Sequence, residues 1–439
     1  MPFRALPTAA SKVSYSLICY DATGQERRDP DGMDGLMSRR VLDTAAGAGA
    51  TDIFFFSHGW MGDVPAAVDQ YNRWIGALEN STANRRAAEK IFPGFRPLYV
   101  GLHWPSLPWG DEEIGDTSFD AESGISPEDL YQTYLERLGD TPAIRSALGT
   151  IFEEARRNAA PAELPERARE AFFDLNEALG LRSEGAAGAP DADREPFDPD
   201  QALQAGEEAS FGGWDVFSGM LGVVRLCSYW TMKKRGRTVG ETGMHTFIRK
   251  LQQATPARIH LMGHSFGCVV ISSILGGPEG KGVLDRPVDS TVLVQGAVSL
   301  WSYAASIPFG GAGPGYFHRV IADRKIRGPL VTTQSRYDTA VGVQYPRASV
   351  LAAQVAFDPG EYPKYGAIGT FGLQGLAQTV QTDREMAAAE GDYGFEPGRV
   401  YNLEASRFIL KGGGSSGAHN DIDGPEVAHA IWQAAFASA

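Results

Sequence analysis

Cysteine is scarce in this sequence. Three residues among 439, Cys19, Cys227 and Cys268, lie far apart and are odd in number. No disulfide framework or zinc-ligand spacing follows from them, and a reducing cytoplasm is the expected compartment. Positive charge is in short supply as well: 40 Lys and Arg against 54 Asp and Glu leave a formal net charge of −14. No basic patch with interleaved aromatics occurs, which argues against nucleic acid or an anionic membrane as a partner. Long apolar runs are also missing. The window closest to a membrane span, FGGWDVFSGMLGVVRLCSYW at 211–230, is interrupted by Asp215, Arg225 and four glycines, so a buried or cap helix is expected there. The opening MPFRALPTAASKVSYSLICYD has no apolar h-region, and no signal peptide is expected.

What is present suits a large core. Hydrophobic residues make up 43% of the chain, and its length fits one α/β domain carrying insertions. KVSYSLICYD (12–21) alternates like a strand. TDIFFFSHGW (51–60) is a continuous apolar run of the kind covered on both faces, and FRPLYVGLHWPS (95–106) is another strand. Between the last two, Val68, Tyr71, Trp74, Ile75 and Leu78 share one helical face. This βαβ pattern predicts a mostly parallel, doubly wound sheet. Further strands are expected near 259–264, 290–301, 328–338 and 398–406, with a closing helix at 425–436. The predicted core is therefore 1–106 with 240–439.

Residues 107–239 break the pattern. Ser126-Pro127-Glu128-Asp129 and Thr141-Pro142 read as helix starts, and a third helix carries Phe172, Leu175 and Leu179. A helical cap insertion is expected. Within it, 183–210 holds eight acids against one arginine and reads as a mobile acidic loop.

IHLMGHSFGCVV (259–270) places a serine between two glycines at the junction of an apolar strand and an apolar helix. A turn that tight has no room for side chains at Gly263 and Gly267. The residue at its tip, Ser265, is expected in a strained conformation with its hydroxyl exposed at the carboxyl edge of the sheet. A chance G-x-S-x-G among 52 glycines is the plain alternative. A serine hydroxyl needs a base, and the base needs an orienting acid. Asp338, where the strand VTTQSRYD breaks into a loop, is the candidate acid. Asp323, Asp421 and Asp423 compete with it, although Asp423 also suits a cap for the final helix ahead of Pro425. His419 is the candidate base, presented by the Gly/Ser-rich loop LKGGGSSGAHNDIDG. The strand FFFSHGWMGD ends in a turn whose main-chain N–H groups can face Ser265. With the N–H of Phe266, that of Trp60 would bind a developing oxyanion. His58, Gly59, Met61, Trp104 and His264, in or beside these loops, are the candidate substrate contacts. Trp60, Trp104, Trp109 and Phe266 together suggest an apolar or aromatic acyl group.

The order Ser265, Asp338, His419 and the pentapeptide Gly263-His264-Ser265-Phe266-Gly267, with His58-Gly59, are similar to the elbow and oxyanion loop of α/β-hydrolases of the lipase and esterase branch. The resemblance covers about 51–106, 240–340 and 398–436. It implies acyl transfer through a serine ester, with no metal and no organic cofactor. The substrate would be a small-molecule or lipid-like acyl ester. The insertion departs from the lid position usual in that family, after the sixth strand. Amide hydrolysis or acyl transfer could use the same parts, and a non-catalytic binding protein on the same fold is the alternative from another class.

Overall fold

The computed structural model describes residues 3–6, 13–47, 49–60, 63–107, 126–181, 188–209, 219–309, 313–344 and 362–439. Its strands are β1 (Phe3–Ala5), β2 (Ser14–Cys19), β3 (Asp52–Ser57), β4 (Pro97–His103), β5 (Arg258–His264), β6 (Ser290–Val294), β7 (Leu330–Gln334), β8 (Gln381–Glu385) and β9 (Val400–Glu404). They form one nine-stranded sheet in the order β1-β2-β4-β3-β5-β6-β7-β9-β8. Every pairing is parallel except that of β1 with β2. The fold is thus mixed α/β, with a mostly parallel sheet flanked by helices.

The principal helices are α1 (Met37–Gly47), α2 (Val64–Asn80), α3 (Thr82–Ile91), α4 (Pro127–Leu138), α5 (Pro142–Arg157), α6 (Glu166–Ala178), α7 (Pro199–Ala209), α8 (Gly219–Val239), α9 (His245–Ala254), α10 (Gly267–Gly276) and α11 (Pro425–Phe436). Their starts follow the local chemistry. Asp63, Ser126 and Thr141 each accept a main-chain N–H through the side chain, and a proline stands in the first turn each time.

Strand β3 shows how the core is divided. All six of its residues are buried. Ile53 and Phe55 face an apolar cluster with α1 and α4 to α10, whereas Phe54 and Phe56 face a second cluster with α2, α3 and α11. A strand that alternates between two buried faces reads as an unbroken apolar run. The first cluster takes in the described helices of 126–239, so that segment shares one continuous core with the sheet. α8 is buried almost all round, and it passes through a π-helical turn, Gly240–Met244, into α9.

The acidic segment differs from its expectation. Where it is described it is not structureless: α7 occupies its second half, and Ala189, Asp191, Asp193 and Arg194 are buried. The reason is pairing. Asp191 meets Arg237 of α8, and Asp200 meets Arg169 of α6. Acids matched by arginines from other helices no longer repel one another. The final helix also differs: Gly424 stands at its N-cap, and Asp423 pairs with Arg73 instead of capping.

Candidate functional site

The site grows from the way the strands are connected. The chain leaves β3 toward β4 on one side and leaves β5 toward β6 on the other. The point between β3 and β5 where the connections diverge, beyond their carboxyl ends, is the place where parallel sheets hold ligands. The turn after β3 carries His58, Gly59 and Trp60, and the turn after β5 carries Ser265.

Ser265 has a left-handed backbone, φ +55°, a conformation that a residue other than glycine adopts at a cost of about 1–3 kcal/mol. Its flanking glycines are required by space. A Cβ on Gly263 would lie 2.7 Å from the carbonyl carbon of Gly267, and one on Gly267 would lie 2.2 Å from the Ser57 carbonyl oxygen. The Ser265 N–H donates to Val294 O and its own carbonyl accepts from Ala297, which ties the turn to the end of β6. The hydroxyl is less open than expected: Ser265 is 4% exposed. The turn after β3 presses on it, since a Cβ on Gly59 would lie 2.8 Å from the Ser265 Cβ. Beside it, the rings of Trp60, Phe266 and Tyr229 of α8 pack with centroids 5.0–5.6 Å apart.

Asp338 and His419 meet two strands away. The Gly/Ser-rich loop bridges Gly417 to Asp338 in antiparallel fashion, and Ala418 N–H donates to Tyr337 O at 2.8 Å. His419 Nδ1 then donates to Asp338 Oδ2 at 2.7 Å, with the carboxylate fully buried. That bond leaves the Nε2 lone pair of His419 free of any partner among the described residues. The competing acids are engaged elsewhere. Asp421 accepts the N–H groups of Leu410 and Lys411, and Asp323 pairs with Arg319.

Two further histidines hold the scaffold. His264 Nε2 donates to the His419 carbonyl at 2.9 Å, and its Nδ1 accepts from Gln70 Nε2 at 3.1 Å. Burial, and then the neighbouring His419, push its pKa well below the usual imidazole range, so it stays neutral. It anchors the loop that presents His419. His58 donates from Nδ1 to the Gly59 carbonyl and accepts the Trp104 N–H at Nε2. Burial, with His103 beside it, lowers it to about 3. Trp104 is fully buried and stacks on His58, and its indole N–H donates to the His58 carbonyl. The structure thus puts His58 and Trp104 in the packing behind the turn. Gly59 and His264 lie against Ser265, while Met61 and Trp109 lie outside the described residues.

No family model, curated protein or solved structure matches this chain. What it can do is then a matter of these side chains. A strained serine, an imidazole oriented by a buried carboxylate, and the main-chain N–H of Phe266, which has no partner among the described residues, lie along one sheet edge, although no hydrogen bond joins Ser265 Oγ to His419 among the described residues. A cavity of about 870 Å³ lies elsewhere, lined by α8 residues Lys234, Arg237 and Thr238 together with Glu241 and Tyr316, and it includes none of these groups. Among the described residues no three His, Cys, Asp or Glu side chains are placed to hold a metal ion, and no helix is long and apolar enough to cross a membrane.

Sequence reasoning missed Gln70, Tyr229 and above all Gln295, whose amide donates to Asp338 Oδ2 at 2.8 Å. The only signal was its place at the end of a buried strand, in STVLVQG, at the same edge as Asp338.

Proposed function

We propose that the chain is a serine hydrolase of the α/β-hydrolase fold that cleaves carboxylic esters. The observation that carries this reading is the 2.7 Å bond between His419 and Asp338 at the sheet edge where Ser265 sits at φ +55°. In the reaction, Ser265 Oγ attacks the acyl carbon and His419 Nε2 takes its proton. The Asp338 carboxylate holds the imidazole by Nδ1 and stabilises the imidazolium as it forms. The N–H groups of Phe266 and Trp60 receive the oxyanion, each worth on the order of 3 kcal/mol in the transition state. His419 gives its proton to the leaving alcohol, and water then releases the acid from the acyl-enzyme. Amide hydrolysis and acyl transfer would use the same parts.

α8 acts in this reading as a cap. Through Tyr229 it reaches Phe266 and Trp60, so it excludes water and limits which acyl groups enter. The low exposure of Ser265 favours a second reading, a non-catalytic protein on this fold. A fluorophosphonate probe separates the two. Labelling at Ser265, absent in Ser265→Ala, supports the hydrolase. Folded protein that resists the probe supports the second reading.

A further inference from the structure

Gln295 directly follows β6, at the same sheet edge as Ser265 and Asp338. Its backbone is left-handed, φ +46°, although it is not glycine and a glycine is next in the chain. Such a conformation persists where the surroundings demand a particular side chain, and it clusters at functional sites. The side chain is fully buried. Thr333 Oγ1 accepts the Gln295 main-chain N–H at 3.0 Å and donates to Gln295 Oε1 at 3.0 Å. That pairing fixes which way the amide points: its oxygen faces Thr333, so its NH₂ faces the acid. Nε2 donates to Asp338 Oδ2 at 2.8 Å, with a longer contact to Gly369 O at 3.4 Å. Among the described residues the carboxylate therefore has three donors. His419 and Gln295 share Oδ2, and the Val341 N–H takes Oδ1 at 3.1 Å.

We propose that Gln295 is a positioning residue, whose amide locks the Asp338 carboxylate so that Oδ2 faces His419 Nδ1. This deepens the hydrolase reading and rests on it. A neutral amide suits the task because it orients the acid without cancelling the charge that the imidazolium needs. A guanidinium in that place would compete with His419 for the carboxylate. Among the described residues, titratable groups near the pair include His264 behind the His419 ring at 4.8 Å between centroids, Asp421 and Tyr337 in or beside the loop that carries His419, and the Cys268 thiol. Burial pushes that thiol well above its usual range, so it carries no charge.

The test uses the full chain with Gln295→Met and Gln295→Glu, reading the rate of fluorophosphonate labelling against pH. Labelled histidine, assigned with His419→Gln, reports the titration midpoint of the His419 ring by NMR without any substrate. Gln295→Met keeps the volume and removes the donor, and labelling should slow about tenfold or more. Gln295→Glu sets a second carboxylate against Asp338. Either its charge holds the proton on His419, or the two carboxyls share a proton that must leave first. The first route moves the acid limb of labelling and the ring midpoint upward, by about one pH unit; the second adds the ionisation of the shared proton to the labelling profile. A residue that merely fills space would lower the melting temperature and leave both midpoints where they were. Unmoved midpoints in Gln295→Glu, with labelling of Gln295→Met within twofold of the unmodified protein, would overturn the proposal. An unmodified protein that does not label at Ser265 would overturn the hydrolase reading instead, while the ring titration still decides whether Gln295 governs the pair.

Discussion

Strand β5 has a serine, a histidine and an aspartate at each of its ends, and the two sets differ in everything but composition. At the start of the strand, His260 Nδ1 lies 2.8 Å from Ser290 Oγ and its Nε2 lies 3.2 Å from Asp52 Oδ1. Beyond the other end stand Ser265, His419 and Asp338. In the first set the serine lies within the regular ladder of β6 opposite β5, and all three residues are buried. Asp52 is also gripped by both arms of Arg258 at 2.7 Å. Burial alone would raise the Asp52 carboxyl, but the hydrogen bonds from His260 and Arg258 outweigh it and hold the group below its usual range. In the second set the serine sits on a strained turn, the acid meets an amide in place of a guanidinium, and the histidine comes from a loop. Residue types alone therefore do not make a nucleophile. In the hydrolase reading proposed above, backbone strain that lifts the hydroxyl out of the ladder, and an acid whose charge is left for the imidazolium, are what separate the Ser265 set from a purely structural one.

Removing each serine in turn should give the largest difference between the two ends of β5. Ser265→Ala should abolish ester turnover by on the order of 10⁴-fold or more with little change in melting temperature. Ser290→Ala should keep turnover and cost about 1–3 kcal/mol of stability, because His260 Nδ1 is left buried without a partner. Equal turnover in the two variants would end the assignment of Ser265.

The acids make the next contrast. Asp338→Asn should lower kcat by about 10⁴-fold, since an amide favours the wrong imidazole tautomer. Asp52→Asn should instead destabilise by about 3–5 kcal/mol, because Arg258 and its buried partners lose their counter-charge. Urea unfolding beside turnover of the folded fraction reads both. Severe loss of turnover in Asp421→Asn, with Asp338→Asn still active, would move the acid to the other side of His419.

A smaller effect concerns pH. His58 stays neutral in the folded protein down to about 3, and His264 is held well below the usual range. In the unfolded chain both take up protons below about pH 6.5. The unfolded state then binds more protons, so stability is fully present above about pH 6.5 and falls as pH drops. The share of His58 is lost progressively down to about pH 3. Asp52, lowered in the fold, adds its own loss only in the acid range near its unfolded value. His58→Gln should flatten the slope of unfolding free energy against pH, between about pH 6 and 4, by about 1.4 kcal/mol per unit. An unchanged slope would mean that His58 is not a buried neutral group.

The strands were legible where burial on both faces leaves an unbroken apolar run, as in DIFFFS of β3. Ser265 and its glycines were legible because steric demands at a tight turn act locally. The pairing of His419 with Asp338 could be expected from chain order and strand ends. Other features depend on contacts that no local pattern announces. Edge strand β8, QTDRE, is polar and partly exposed, and it shows no apolar period. α7 is ordered in company with arginines from α6 and α8. Gln295 looks like any polar residue after a strand until Asp338, 43 positions on, is seen to receive its amide.

The covering of Ser265 is the last such feature, and it carries the smallest effect. The sequence reading leaves the hydroxyl open at the sheet edge, whereas Tyr229 of α8 packs on Phe266 with centroids 5.0 Å apart and on Trp60 at 5.4 Å. Ser290 instead sits within the ladder of β6, opposite His260 of β5. If the ring of Tyr229 is part of the wall that an acyl chain must pass, trimming it should enlarge the space for long chains and leave short ones almost unaffected. Tyr229→Leu keeps an apolar side chain in the core, so the loss of stability should stay within about 2 kcal/mol. The ratio of kcat/KM for long against short aryl esters should change about five- to tenfold, the lower end of the roughly 1–3 kcal/mol that a methylene-scale change in a pocket is worth. An equal fall on every ester, in step with the melting temperature, would make α8 scaffold alone and remove the cap from the mechanism.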